Sequence, residues 1–318
     1  MVGLSERTLF CQSYSLLPST GMRMIVLMPF FAQIPLTFLS GSVFSSCYRA
    51  TMTAADSSYA YNQAFALNNI GVTMMMQGRF DQAASTLKDS LTLVRMALGR
   101  SFGNQAKIEV INSFATEKLR FASSRLSQMT AATFCSSSCE NNVNIAAVES
   151  NDFQSLQVAS SRRSILSSSI YALIIREPCQ AQQEQIPESD LELESGIILY
   201  NYGLACYLMA NGVHQNNDPK NLRRDTYYSM ARRSLLMSHA TFSRRLFACE
   251  DRDGMSDLET SFFVMLSLSC TSKVLKSCNE STKAQEAEEA VEQLWISMEE
   301  ENLWSLLGCD CVLAAPAA

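Results

Sequence analysis

The sequence is short of the residues that interrupt helices. Its 318 residues include 12 Gly and 7 Pro, about 4% and 2%, where about 7% and 5% are usual. A chain this poor in both is expected to be mostly helical. Histidine is scarcer still, with only His214 and His239. Zinc needs four thiolate or imidazole ligands at regular spacing, and neither His lies near the close pairs Cys135-x3-Cys139 or Cys309-x-Cys311. No metal site is expected. A Gly-rich phosphate loop, a nucleophile elbow and an HExxH motif are all missing, so neither an enzyme nor a cofactor is expected. Net positive charge is missing too: the balance is −6, which argues against a dedicated nucleic-acid binder.

Hydrophobic residues make up 47% and charged residues 18%, enough apolar material for a sizeable core and too much for wholesale disorder. The 11 cysteines are scattered and read as small buried hydrophobes in a reducing, cytoplasmic setting. Charge is segregated. Residues 220–245 carry Lys220, Arg223, Arg224, Arg232, Arg233, Arg244 and Arg245, while 280–301 carry eight Glu and one Lys. Each run reads as a solvated helix face, or the two attract each other. If the basic face bound RNA, binding would fall steeply with salt.

Residues Met24 to Phe44 contain no charged side chain. Pro29 and Pro35 oppose a regular spanning helix. The stretch reads as a buried core segment or strand, as a signal or membrane anchor, or as an unstructured end. An anchored or exported helical protein is therefore the alternative to a soluble one, with membrane contact through 24–44. Five regions follow: an apolar segment 1–56, a helical region 57–131, a Ser-rich connector 132–189, a second helical region 190–307 and a tail 308–318. In the first helical region Ile108, Ile111, Ala115, Leu119, Ala122, Leu126 and Met129 step by three and four, an amphipathic stripe. Ile170 to Ile175 is a β-branched apolar run stopped by Pro178, read as a strand. Leu36 to Phe44 is the other strand-like run and would pair with it. Ser256-x-x-Glu259 and Thr282-x-x-Gln285 read as capping boxes opening two late helices.

Residues 64–98 carry the strongest pattern, AFALNNIGVTMMMQGRFDQAASTLKDSLTLVRMAL. Leu67, Ile70, Gly71 and Met74 step along one helix, Gly78 marks a turn, and Phe80, Ala83, Leu87, Ser90 and Leu91 step along the next. The segment resembles a tetratricopeptide repeat, a helix–turn–helix unit with a period of 34 residues, and in style the longer repeats of kinesin light chains. A second copy lies at 196–240, with Leu199, Tyr202, Gly203 and Cys206, then Tyr228, Ala231, Leu235 and Ser238. Between Gly and Ala it holds sixteen more residues than the first copy, expected to loop out. Both copies depart from the family pattern: Ser90 and Ser238 replace a small Ala, and Arg95 and Ser243 replace a terminal Pro. The physical need at Gly71 and Gly203 is close helix approach against Ala83 and Ala231. Gly inside a helix costs about 1 kcal/mol against Ala, so its presence calls for a packing reason.

The resemblance implies an all-α fold, a solenoid of helical hairpins with further degenerate repeats near 105–131 and at 257–276 with 284–302; the two strand-like runs would add a minor two-stranded β element. It also implies a protein-interaction scaffold that binds an extended peptide or another protein on the concave face of its first helices. Carried onto this chain, that face is Phe65, Asn68, Asn69, Val72, Met75 and Met76, then Ile197, Tyr200, Asn201, Leu204, Tyr207 and Leu208. Asn69 and Asn201 occupy the same repeat position, and an Asn amide both donates to and accepts from a peptide unit. The competing expectation is that these side chains pack against an adjoining helix or the chain's own N-terminal segment.

Overall fold

The computed structural model describes residues 54–98, 105–127, 145–149, 170–175, 188–213, 222–248 and 254–300. Among them are seven helices: α1 (Ala54–Met76), α2 (Phe80–Leu98), α3 (Gln105–Ser127), α4 (Glu188–Val213), α5 (Leu222–Ala248), α6 (Gly254–Ser277) and α7 (Ser281–Glu300). Two short strands, β1 (Ile145–Glu149) and β2 (Ile170–Ile174), complete the described chain. Residues Met24 to Phe44 and the tail lie outside the described residues. No described helix is long and apolar enough to cross a membrane.

The helices pair as three hairpins, α1 with α2, α4 with α5 and α6 with α7. Two of the turns are built alike. In the first, Gly78 takes a left-handed φ of 74°, Gly78 N donates to Met75 O and Arg79 N to Met74 O. In the third, Asn279 takes a φ of 61°, Asn279 N donates to Lys276 O and Glu280 N to Leu275 O. Both are Schellman ends, which satisfy the last carbonyls of one helix while turning the chain into the next. Glycine and asparagine are the residues that enter this left-handed region at least cost.

Close approach explains the interior glycines. A Cβ on Gly71 would sit 2.7 Å from Leu87 Cγ, and one on Gly203 2.8 Å from Leu235 Cγ and 3.2 Å from the Ala231 carbonyl. The contact at Gly71 is thus with Leu87, one turn beyond the expected Ala83, while Ala83 and Ala231 are fully buried beside it. The two serines that replace Ala have a partner at equivalent places. Ser90 Oγ donates to Ala64 O at 2.7 Å and Ser238 Oγ to Gly196 O at 2.8 Å. Each hydroxyl ties the second helix to the first through a carbonyl seven residues before the glycine.

The third hairpin follows the first in register from turn to turn, Gly78 matching Asn279. Leu67 matches Leu268, Met74 matches Leu275 and Ala83 matches Ala284, all buried. At the crossing, Ser272 replaces Gly71 and Glu288 replaces Leu87, and Ser272 Oγ donates to Glu288 Oε1 at 2.9 Å. A hydrogen bond stands where the first two hairpins use glycine against leucine. The expected capping box at Thr282 does not open α7. The helix begins at Ser281, Ala284 N donates to Glu280 O, and Gln285 reaches forward to Glu289. Likewise α6 begins at Gly254, ahead of Ser256.

The sixteen additional residues of the second hairpin do not loop out whole. Most extend the two helices, α4 to Val213 and α5 back to Leu222, leaving only 214–221 between them. The extended ends hold each other: Tyr228 donates from its hydroxyl to Asn211 Oδ1 at 2.8 Å, and the Tyr207 and Tyr228 rings lie 6.3 Å apart.

Packing is sequential along the row, α1 on α2, α2 on α4, α4 on α5, α5 on α6 and α6 on α7. Helix α3 is the exception. It follows α2 in sequence but packs mainly on α1, so it closes the near end of the row instead of standing between the first two hairpins. Ile111, Ala115 and Ala122 are its buried stripe, as the pattern requires. Lys118 to Asp89 (3.4 Å), Tyr59 to Thr116 (2.9 Å) and Arg79 to the Arg125 carbonyl (3.0 Å) hold it in place. Having α3 at the end leaves the segment between α2 and α4 free to return across α1 and α4, where β1 and β2 lie.

The strand at Ile170 forms as expected, but its partner is Ile145–Glu149, inside the Ser-rich segment, in a parallel ladder from Ile145 with Ile170 to Glu149 with Ile174. The Leu36–Phe44 segment lies outside the described residues.

Candidate peptide groove

Helices α1 and α4 are the first helices of adjacent hairpins, and β2 lies against both. A strand turns the backbone groups of alternate residues to opposite edges. One edge of β2 pairs with β1. The other edge, formed by Tyr171, Leu173 and Ile175, meets side chains from the helices.

Asn201 Oδ1 accepts from Leu173 N at 2.9 Å and Asn201 Nδ2 donates to Leu173 O at 2.6 Å. Asn69 Oδ1 accepts from Ile175 N at 2.9 Å and Asn69 Nδ2 donates to Ile175 O at 2.7 Å. Each carboxamide thus stands in for the peptide group of a neighbouring strand. Asn68 joins them: its Nδ2 donates to Leu173 O (3.1 Å) and Asn69 Oδ1 (3.2 Å), and its Oδ1 accepts from Asn201 Nδ2 (2.9 Å). Asn68 and Asn201 are fully buried, so a complete network is what makes their burial affordable. Tyr200 extends the edge by donating from its hydroxyl to Tyr171 O at 2.8 Å.

The spacing is regular. Ile175 sits at Asn69 of the first hairpin and Leu173 at Asn201 of the second. The equivalent position in the third hairpin is Cys270, whose Sγ lies 3.2 Å from the Tyr200 hydroxyl. Burial pushes the Tyr200 phenol well above its ordinary range and raises the Cys270 thiol as well, so both are neutral hydrogen-bonding groups. Cys206 is pushed up to about 11 by burial and is equally unreactive as a thiolate.

The remaining face residues are placed as follows. Phe65, Val72, Met75, Ile197, Leu204 and Leu208 are buried, Tyr207 is half-buried and Met76 is 53% exposed. Five of the six residues 170–175 are buried, with Ile174 half-buried. The face therefore holds an extended segment, and that segment is the chain's own 170–175. The expected competitor was a helix or the N-terminal segment. The strand itself was legible, but nothing in its composition said that it would lie along the asparagines.

The two charge runs meet where Arg232 Nη1 lies 2.6 Å from Glu280 Oε1. Lys283, at 2.8 Å, holds the Glu280 carboxylate below its usual range, aided by Arg232. Both partners are partly exposed, and such pairs contribute little. Among the described residues no group of three or more His, Cys, Asp or Glu is placed to hold a metal ion.

No family model, curated protein or solved structure matches the chain.

Proposed function

We propose that the protein is a non-enzymatic, tetratricopeptide-like interaction scaffold whose concave face receives an extended segment of another protein. The sequential order of packing, first helix to second and second to the next first, supports the reading as a hairpin solenoid, as do the glycine crossings at Gly71 and Gly203. One observation carries the binding role. Asn69 and Asn201, at one repeat position, each make a two-point bond to the backbone of an extended strand, two residues apart. That geometry reads backbone and leaves side chains to the pockets around it, as in strand addition to a sheet edge. A cytoplasmic location belongs to the same proposal.

Site-specific photocrosslinking tests it. A benzophenone at Met76, the most exposed residue of the face, should capture a discrete partner in cells. The same group at exposed Met237 on α5 should not. Equal capture at both sites, or none at Met76, contradicts the reading.

A further inference from the structure

The groove is already filled by a strand, which joins the common core through its side chains but takes no part in the crossings of the hairpins. The hairpins cross through Gly71 with Leu87 and Gly203 with Leu235, none of which involves β2. The bonds that hold β2 go to its backbone, from three asparagines and a tyrosine. Backbone bonds of this kind accept any residue except proline at the two donor positions. Selection comes from burial alone: large at 171, small at 172, large at 173 and at 175, all buried.

We propose that β2 is a built-in ligand that a partner strand replaces. The incoming segment has the same chemistry: extended and apolar, in the order large–small–large–any–large, with no proline at the third and fifth places. It takes the bonds of Asn69 and Asn201 and the edge of β1, and β2 leaves. The proposal rests on the interaction reading above and specifies the partner's recognition element. Strand and replacement are alike in bonds and burial, so the exchange is governed mainly by the tether. Twelve residues separate Ile175 from Glu188 and twenty separate Glu149 from Ile170. A strand joined in this way competes at an effective concentration on the order of millimolar. The full chain therefore binds such partners weakly until β2 is weakened or the partner is itself held nearby.

The test uses the full chain and a fluorescein-labelled peptide with the sequence of residues 168–177, SSIYALIIRE, followed by anisotropy. With Leu173→Ala, β2 no longer fills the pocket of residue 173, whereas the peptide's own leucine fills it when the peptide takes the strand's place, and the groove itself is unaltered. Peptide affinity should rise about 100-fold over the unaltered chain, the scale of a buried Leu→Ala change. Adding Asn69→Ala/Asn201→Ala should abolish it, and a peptide with proline in place of the leucine should not bind. If Leu173→Ala fails to fold by circular dichroism, Ile175→Ala makes the same comparison at the strand's end. Equal affinity for both folded chains overturns the exchange, and if that binding needs the asparagines the interaction reading stands. No binding to either folded chain also overturns the exchange, and the Met76 crosslink then judges the interaction reading by itself.

Discussion

A single carboxamide decides more here than any ion pair. Asn201 is fully buried and meets both polar groups of Leu173. Asn201→Ala strands a buried N–H and part of a buried carbonyl, each costing about 1–3 kcal/mol. The expected loss is about 2–4 kcal/mol in urea unfolding, with a smaller loss for half-buried Asn69→Ala. Asn201→Asp should be worse than alanine, since it removes the donor to Leu173 and Asn68 and buries a charge. A second residue makes stability depend on pH. His239 lies between α5 and α6, its Nδ1 3.3 Å from Ser267 Oγ, and burial lowers it to about 4 from 6.5. The unfolded chain therefore takes up the proton first as pH falls. The stability involved is fully present above about pH 6.5 and declines toward pH 4. Between pH 7.5 and 5 the loss is about 2 kcal/mol. His239→Gln should flatten that limb of the urea midpoint against pH.

At the scale of elements, the crossings make graded predictions. Gly71→Ala meets a leucine side chain, whereas Gly203→Ala also meets the Ala231 carbonyl at 3.2 Å, which cannot rotate away. Gly196→Ala meets the Phe242 ring at 2.5 Å. Overpacking costs about 1–3 kcal/mol, against roughly 1 kcal/mol gained in helix propensity. Gly71→Ala should be the mildest of the three by urea midpoint, and Gly203→Ala and Gly196→Ala clearly destabilising. The helices of the first two hairpins were legible because glycine at a crossing is an unusual residue with a single physical reason. The third was legible only as two helices. Its crossing uses Ser272 and Glu288, a pair that reads as ordinary surface chemistry. The insertion reads as a loop in the sequence because a polar composition does not distinguish a turn from the outer faces of extended helices. The partner of β2 is not legible because Ile-Ala-Ala-Val-Glu, with two alanines and a glutamate, makes no continuous run of large apolar residues and lies in a Ser-rich stretch.

For the whole molecule, the arrangement depends on where the chain goes between its first two hairpins. A helix closes the end of the row and two strands return to the groove, so a long connection supplies both a cap and an occupant. Sequence periodicity reports which faces are apolar but not which neighbour covers them, so the asparagine face could be found and its occupant could not. Amide hydrogen exchange resolved to residues 170–175 tests the central claim, that side-chain amides of successive hairpins hold this strand. In the unaltered chain the amides of Leu173 and Ile175 should exchange as slowly as those of the helical core, and Asn69→Ala/Asn201→Ala should speed them at least tenfold more than the amides of α6. Rapid exchange of both amides in the unaltered chain, or equal acceleration of strand and α6 in the double variant, would contradict the account.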